Sequence, residues 1–218
     1  MTTDSLRPAT RVKICGITSV EDARVCIACG ADALGFMFAE SPRRVTPEQA
    51  RDIIRECGPF VTTVGVFVNA PVEEVKRILD MTGCGLAQLH GDESPEYMGM
   101  LSPARAIKAI RVRDQLSGSA VRGYEAARAI LLDTYVDGKP GGTGRRFDTA
   151  LAAELVAAGW RVIVAGGLTP ENVGEVVTSV KPYGVDVSSG VESAPGRKDP
   201  DRVARFIAAV RAADGRVQ

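Results

Sequence analysis

The stretch RVIVAGGLTPENVGEVVTSV, residues 161–180, holds one complete structural unit. Val162, Ile163 and Val164 form a short β-branched run suited to a buried strand. Gly166-Gly167 ends that run. Thr169-Pro170-Glu171 then places a capping hydroxyl before a proline and an acidic residue, which predicts a helix starting at Pro170. Val173, Val176, Val177 and Val180 recur at intervals of three and four, so they share one helical face that can cover a sheet. The unit reads strand, glycine turn, helix.

The same alternation extends in both directions. Strand-like runs fall at Val12–Gly16, Ala33–Phe38, Val61–Val68, Leu86–Leu89, Ala104–Ile110, Ala129–Asp133, Arg161–Ala165 and Gly184–Ser188. Helix-period segments separate them, as at Val72, Val75, Leu79 and at Val203, Phe206, Ile207, Val210. Thr46-Pro47-Glu48 and Ser94-Pro95-Glu96 repeat the helix-start signal. The weakest unit spans Val112–Glu125, where RVRDQLSGSA blurs strand exit and helix entry. Eight βα units in about 200 residues predict an α/β fold, a closed (β/α)8 TIM barrel in a single domain over residues 11–218. The first ten residues are read as a flexible tail. A doubly wound open sheet is the alternative, but it needs fewer strands at this length, and no GxGxxG follows the first strand.

Composition narrows the partners. Lys+Arg and Asp+Glu number 27 each in 218 residues, so no basic excess points to nucleic acid or an anionic membrane. No run approaches the ~18 apolar residues of a membrane span, and MTTDSLRPATR lacks the apolar core of a signal peptide. Five cysteines, an odd number, argue against a disulfide framework and place the chain in the cytoplasm. Cys26 and Cys29 form a CxxC, but no second cysteine or histidine pair accompanies it, so no metal is expected.

In a barrel, functional groups belong at the carboxyl ends of the strands and in the loops beyond. Cys15 ends the first strand and shares a face with Lys13. Read alone, it suits a catalytic rim or a buried structural position. Asp133 ends the wholly apolar sixth strand, where it either enters the mouth or caps the next segment. The loop after it, rich in glycine and basic residues and containing Gly141, Gly142, Thr143 and Gly144, suits a cover over an anion. Gly166 and Gly167 end the seventh strand; Ser188, Ser189 and Gly190 end the eighth. Paired there, they predict a phosphate site. Arg43 or Arg44 after the second strand suits a carboxylate, His90 ends the fourth strand, and Asp186 faces the same side as Ser188.

Taken in order, VKICGIT (12–18), GADALGF (30–36), VGVFVN (64–69), QLHG (88–91), LDT (132–134) with GGTG (141–144), and DVSSGVE (186–192) resemble the phosphoribosylanthranilate isomerase family of tryptophan biosynthesis. The resemblance runs from about Arg11 to Arg205. It implies an Amadori rearrangement of a phosphorylated aminosugar, with Cys15 as general base, Asp133 as general acid and Arg44 as the arginine at the substrate carboxylate. No cofactor is implied. The partner is a small phosphosugar and the assembly a monomer or homodimer. One rival is the sister isomerase acting on a histidine-pathway ribotide, whose members resemble an Asp-for-Cys pattern at the first strand. The other is a non-catalytic phosphosugar-binding domain, which needs neither Cys15 nor Asp133.

Overall fold

The computed structural model describes residues 9–102, 105–111, 118–133 and 149–215. Eight parallel strands close into a barrel in sequence order: β1 (Arg11–Cys15), β2 (Ala33–Met37), β3 (Thr62–Phe67), β4 (Leu86–Leu89), β5 (Ala106–Arg111), β6 (Ala129–Asp133), β7 (Val162–Ala165) and β8 (Gly184–Val187). β8 returns to pair with β1, setting Lys13 beside Asp186. Each strand lies within two residues of its predicted bounds, because a fully buried strand is a short apolar run with glycine or polar residues at its ends.

Helices α1 (Val20–Ala28), α2 (Pro47–Arg55), α3 (Val72–Thr82), α4 (Pro95–Leu101), α5 (Thr149–Ala157), α6 (Val173–Val180) and α7 (Pro200–Ala213) wrap the outside. Ser94 caps α4, and Thr46 with Gln49 forms a full capping box on α2. The sequence leaves one element unclear and misplaces another. The segment after β5 contributes a short 3-10 turn, Gly118–Val121. Its sequence holds glycine and serines in place of an apolar stripe. α6 begins at Val173, not Pro170, because Asn172 captures the preceding turn. Its Oδ1 accepts from Thr169 N at 2.8 Å and its Nδ2 donates to Gly167 O at 2.9 Å.

The core has two shells. Val64, Ile107, Ala109, Ala129, Leu131, Ile163 and Ala165 fill the barrel interior. The alternate residues, such as Ile14, Leu34, Phe36 and Val164, pack outward against helix stripes that include Val203 and Phe206. Thr10, assigned to a flexible tail by the sequence, is instead buried: its N and Oγ1 both donate to Asp214 at 2.8 Å. Residues 1–8 lie outside the described residues. A short antiparallel hairpin, β9 (Glu192–Ala194) and β10 (Arg197–Lys198), follows β8. No helix among the described residues is long and apolar enough to cross a membrane.

Candidate active site

Period-two alternation sends Cys15, Met37, Gln88, Asp133, Ala165 and Asp186 inward near the carboxyl ends of their strands. With Arg43, His90, Gly166, Gly167 and Ser188–Gly190 they line a mouth cavity of about 410 Å³. A larger cavity of about 710 Å³ opens at the opposite, amino-terminal face; of the site residues named above, Lys13 alone lines it. The chemistry-bearing side chains converge on the smaller one. Thr134 and the loop residues Gly141, Gly142, Thr143 and Gly144 lie outside the described residues.

On one wall, Lys13 Nζ donates to Asp186 Oδ1 at 2.9 Å and also reaches the Cys15 thiol, all three side chains being buried. Burial pushes the Cys15 thiol above its ordinary value; Lys13 pulls it down, Asp186 pushes it up, and the net direction is upward. Burial also works against the Lys13 ammonium, yet Asp186 and Cys15 outweigh it and hold Lys13 above the usual lysine value. Lys13 therefore tempers the thiol without reversing the effect of burial.

Gly35 makes this packing possible, and sequence reading passed over it. A Cβ there would sit 2.7 Å from Cys15 Sγ and 3.0 Å from Lys13 Nζ. Gly35→Ala is expected to displace both groups, shifting the pH at which Cys15 reacts with a thiol reagent, while costing only about 1–3 kcal/mol of stability. An unchanged profile, beside a thermal melt that shows the protein folded, would contradict this packing argument.

On the facing wall, His90 Nε2 lies 3.0 Å from Asp133 Oδ2, and Gln88 Nε2 lies 3.0 Å from His90 Nδ1. The two walls thus present a thiol with an ammonium and a carboxyl with an imidazole across one cavity. Such a pairing can remove a proton on one side of a ligand and deliver one on the other.

The end of the cavity is built by the turns after β7 and β8. Gly166 and Gly167 adopt φ of +92° and +63°, the left-handed region that favours glycine. Gly190 packs against the Leu168 carbonyl so closely that a Cβ would strike it. Asn172 props this loop through the bonds described above. Among the described residues nothing lies within 4 Å of where a Gly167 Cβ would stand, which leaves room there for a ligand.

The structure places Arg43, not Arg44, on the cavity. Arg44 is exposed and pairs through its backbone with Met37, which turns its side chain to solvent. The Arg43 side chain lies across Gly16, where a Cβ would come within 2.6 Å of Arg43 Cδ. Its Nε and Nη2 donate to Glu192 at 2.8 and 2.6 Å. Lys198, whose side chain is fully buried, donates to Glu192 Oε1 at 2.9 Å and to the Cys15 carbonyl at 2.6 Å. The hairpin residues Glu192 and Lys198 thus tie Arg43 to the end of β1. Glu192 falls in the DVSSGVE run, but no sequence spacing marks Lys198 as its partner. Away from the mouth, Cys26 lies in α1 with Cys29 at its C-cap; burial pushes the Cys26 thiol up to about 12.

A closed barrel with glycine turns after its last two strands, and an acid and a thiol across the mouth, has the architecture of a barrel enzyme with its site at the carboxyl ends of the strands. The comparisons are more specific. Residues 12–209 match the family described as N-(5'-phosphoribosyl)anthranilate (PRA) isomerase. The chain is 52% identical over 204 residues to the N-(5'-phosphoribosyl)anthranilate isomerase of Moorella thermoacetica, covering 94% of this chain and 91% of that protein. The crystal structure of phosphoribosyl anthranilate isomerase from Thermotoga maritima superposes with a TM-score of 0.86 at 40% identity, covering 93% and 99% of the two chains. A second phosphoribosyl anthranilate isomerase structure, in complex with reduced 1-(o-carboxyphenylamino)-1-deoxyribulose 5-phosphate, gives 0.83 at 38% identity with the same coverage. The chain belongs to the phosphoribosylanthranilate isomerase family and is an isomerase.

Proposed function

We propose that this isomerase converts N-(5-phosphoribosyl)anthranilate to 1-(2-carboxyphenylamino)-1-deoxyribulose 5-phosphate, a step of tryptophan biosynthesis in the cytoplasm, by an Amadori rearrangement. The observation that carries the reading is the convergence of Cys15 and Asp133 on one cavity whose end is formed by the glycine turns after β7 and β8. The phosphate sits against Gly166, Gly167, Ser188, Ser189 and Gly190, where backbone amides approach closely. Arg43 meets the anthranilate carboxylate by charge-assisted bonds, Asp186 holds a sugar hydroxyl, and His90 stands beside Asp133 at the substrate.

Asp133 in its protonated form donates to the furanose ring oxygen as the anthranilate nitrogen lone pair expels it. The ring C–O bond breaks and an open iminium forms, whose charge acidifies the neighbouring C2′ proton. The Cys15 thiolate removes that proton, its electron pair neutralises the iminium, and the resulting enolamine tautomerises to the ketone. One acid and one base complete the cycle, since no net oxidation or hydrolysis occurs.

The ordinary states of both groups oppose their tasks, a free carboxyl titrating near ~3.9 and a free thiol near ~8.5. Lys13 is the group that favours the thiolate. Lys13→Met is therefore expected to raise the Cys15 pKa further. The base is active when deprotonated, so the rise of kcat/KM with pH moves to higher pH and activity at neutral pH falls. A rise at the wild-type pH would remove Lys13 from this role.

The function is tested by generating phosphoribosylanthranilate in situ and following loss of its fluorescence, with the histidine-pathway aminoimidazole ribotide run in parallel. Consumption of the first, and its collapse in Asp133→Asn, is the expected result. Turnover of the ribotide alone would overturn the assignment.

A further inference from the structure

Two of the sequence motifs end in residues with no role so far, VGVFVN in Asn69 and QLHG in Gly91. The fold brings the two together beyond β3 and β4. Gly91 packs on the Asn69 side chain so closely that a Cβ would strike its Oδ1. Asn69 itself adopts a φ of +52°, the left-handed region that residues other than glycine seldom enter. Two bonds hold it there: its N donates to Glu93 Oε1 at 2.8 Å, and its Oδ1 accepts from Asp92 N at 2.7 Å. Both lead into the turn that follows His90. Backbone kept in so sparsely populated a conformation points to a turn whose course matters to function.

An ion pair grips the same turn. Lys108 Nζ meets Glu93 Oε2 at 2.8 Å, the two side chains being only 5% and 1% exposed. Glu93 Oε2 also accepts from Gly91 N at 2.9 Å, and Lys108 Nζ also donates to Gly91 O at 2.7 Å. Gly91 is therefore held at its N–H by the acid and at its carbonyl by the base. Tyr124, beyond β5, adds to this group: its hydroxyl donates to Glu93 O at 2.8 Å, and its ring centre lies 5.8 Å from Lys108 Nζ. Taking two charges out of water is costly, and an apolar pair of like volume would fill the space as well. What an apolar pair cannot do is hold one residue by both its donor and its acceptor.

The residue just before Gly91 is His90, whose own N donates to Phe67 O at 2.8 Å. Its ring lies 3.0 Å from Gln88 Nε2 on one side and 3.0 Å from Asp133 Oδ2 on the other. A ring met at both nitrogens has little slack, so a small shift of its backbone lengthens one contact or the other. Lys108 alternates with Ile107 and Ala109, which fill the barrel interior, so it acts from outside the barrel wall. We propose that Asn69, Glu93 and Lys108 are positioning residues that act through His90: by fixing the Gly91 turn, they hold the imidazole against Asp133 in the mouth cavity. The inference rests on the reading of that cavity as the isomerase site and adds the ion pair that keeps one of its walls in place.

Glu93→Gln keeps the side-chain size and removes the charge that faces Lys108. Asn69→Gly is milder, since glycine suits the left-handed backbone and only the bond to Asp92 N is lost. Turnover of phosphoribosylanthranilate by Glu93→Gln is expected to show kcat lowered about 10-fold to 100-fold with KM little changed, and Asn69→Gly a smaller loss of the same kind. His90 is the single histidine of the chain, so 15N-histidine labelling yields one imidazole, whose ring nitrogen signals should move in both variants. A cycle with His90→Asn separates positioning from a general loosening of the fold. If Glu93 acts through His90, then adding Glu93→Gln to His90→Asn lowers kcat by no more than about 2-fold further. An equal loss with and without His90 overturns the proposal, and so do an unchanged kcat or unmoved ring signals. Should Glu93→Gln fail to fold, Asn69→Gly decides in the same cycle. Ring signals that move in a protein whose wild type leaves phosphoribosylanthranilate untouched would keep the positioning and refute the substrate.

Discussion

Cys15→Ser is expected to lower kcat by about 1000-fold, with KM for the phosphosugar within a few-fold of the wild type. The serine oxygen fits the space between Gly35 and Lys13 that the sulfur occupies, so the cavity keeps its shape. What is lost is acidity: an alcohol gives up its proton far less readily than a thiol. Burial already holds the Cys15 thiol above the ordinary range, so at neutral pH the thiolate is the minor form. Wild-type kcat/KM should therefore climb with pH through the neutral region, because each increment of pH enlarges the reactive fraction. That climb should be absent from the residual activity of Cys15→Ser. Near-normal turnover in the serine variant, measured by the same fluorescence loss, would remove Cys15 from the chemistry and return it to a structural reading.

Glu192→Leu carries the largest expected effect on stability. Glu192 accepts from Arg43 through two nitrogens and from Lys198 through Nζ, with its side chain almost wholly buried. These bonds hold the Glu192 pKa below its ordinary 4.5 although burial alone would raise it. A depressed carboxyl pKa means the stabilisation is complete above that ordinary value and is lost as pH falls through the folded-state pKa. Leucine leaves Lys198 buried without its counter-charge and Arg43 without its fork. Breaking a buried pair by removing one partner costs about 3–5 kcal/mol, which at this chain length lowers Tm by roughly 10 °C. Because Lys198 also holds the Cys15 carbonyl, the surviving folded fraction should turn over more slowly. A melt within a degree or two of wild type at neutral pH would show that the pair contributes little.

Much of the barrel was legible because its rule is local. Val162–Val164 and Ile130–Leu132 are apolar on both faces, as strands buried on two sides must be, and polar or glycine residues bound them. The segment after β5 was read as unclear and proved to hold a 3-10 turn. The α6 start was misplaced because Thr169-Pro170-Glu171 carries the capping signal while Asn172 redirects the turn through its side chain. At the site, alternation pointed Cys15 and Asp186 inward, and position at a strand's carboxyl end marked Asp133 and His90. The adjacent arginines could not be separated in sequence, since choosing between them depends on Gly16 leaving space for one and Glu192 holding it. Gly35 and Lys198 were given no role for the same reason: each matters through Cys15, distant along the chain.

That distance sets an order of events in the making of the protein. The bond from Lys198 to the Cys15 carbonyl joins residues 183 apart, and the Lys13–Asp186 pair spans 173. At a ribosomal rate of ~5–20 residues per second, roughly 10–35 s separate synthesis of the two ends. Until the later partners emerge, β1 has no β8 beside it, and Cys15 lacks both Asp186 and the lysine that anchors its backbone. The Cys15 thiol is thus made well before the groups that set it in place, so a nascent chain carries its cysteine without the surroundings that tune it.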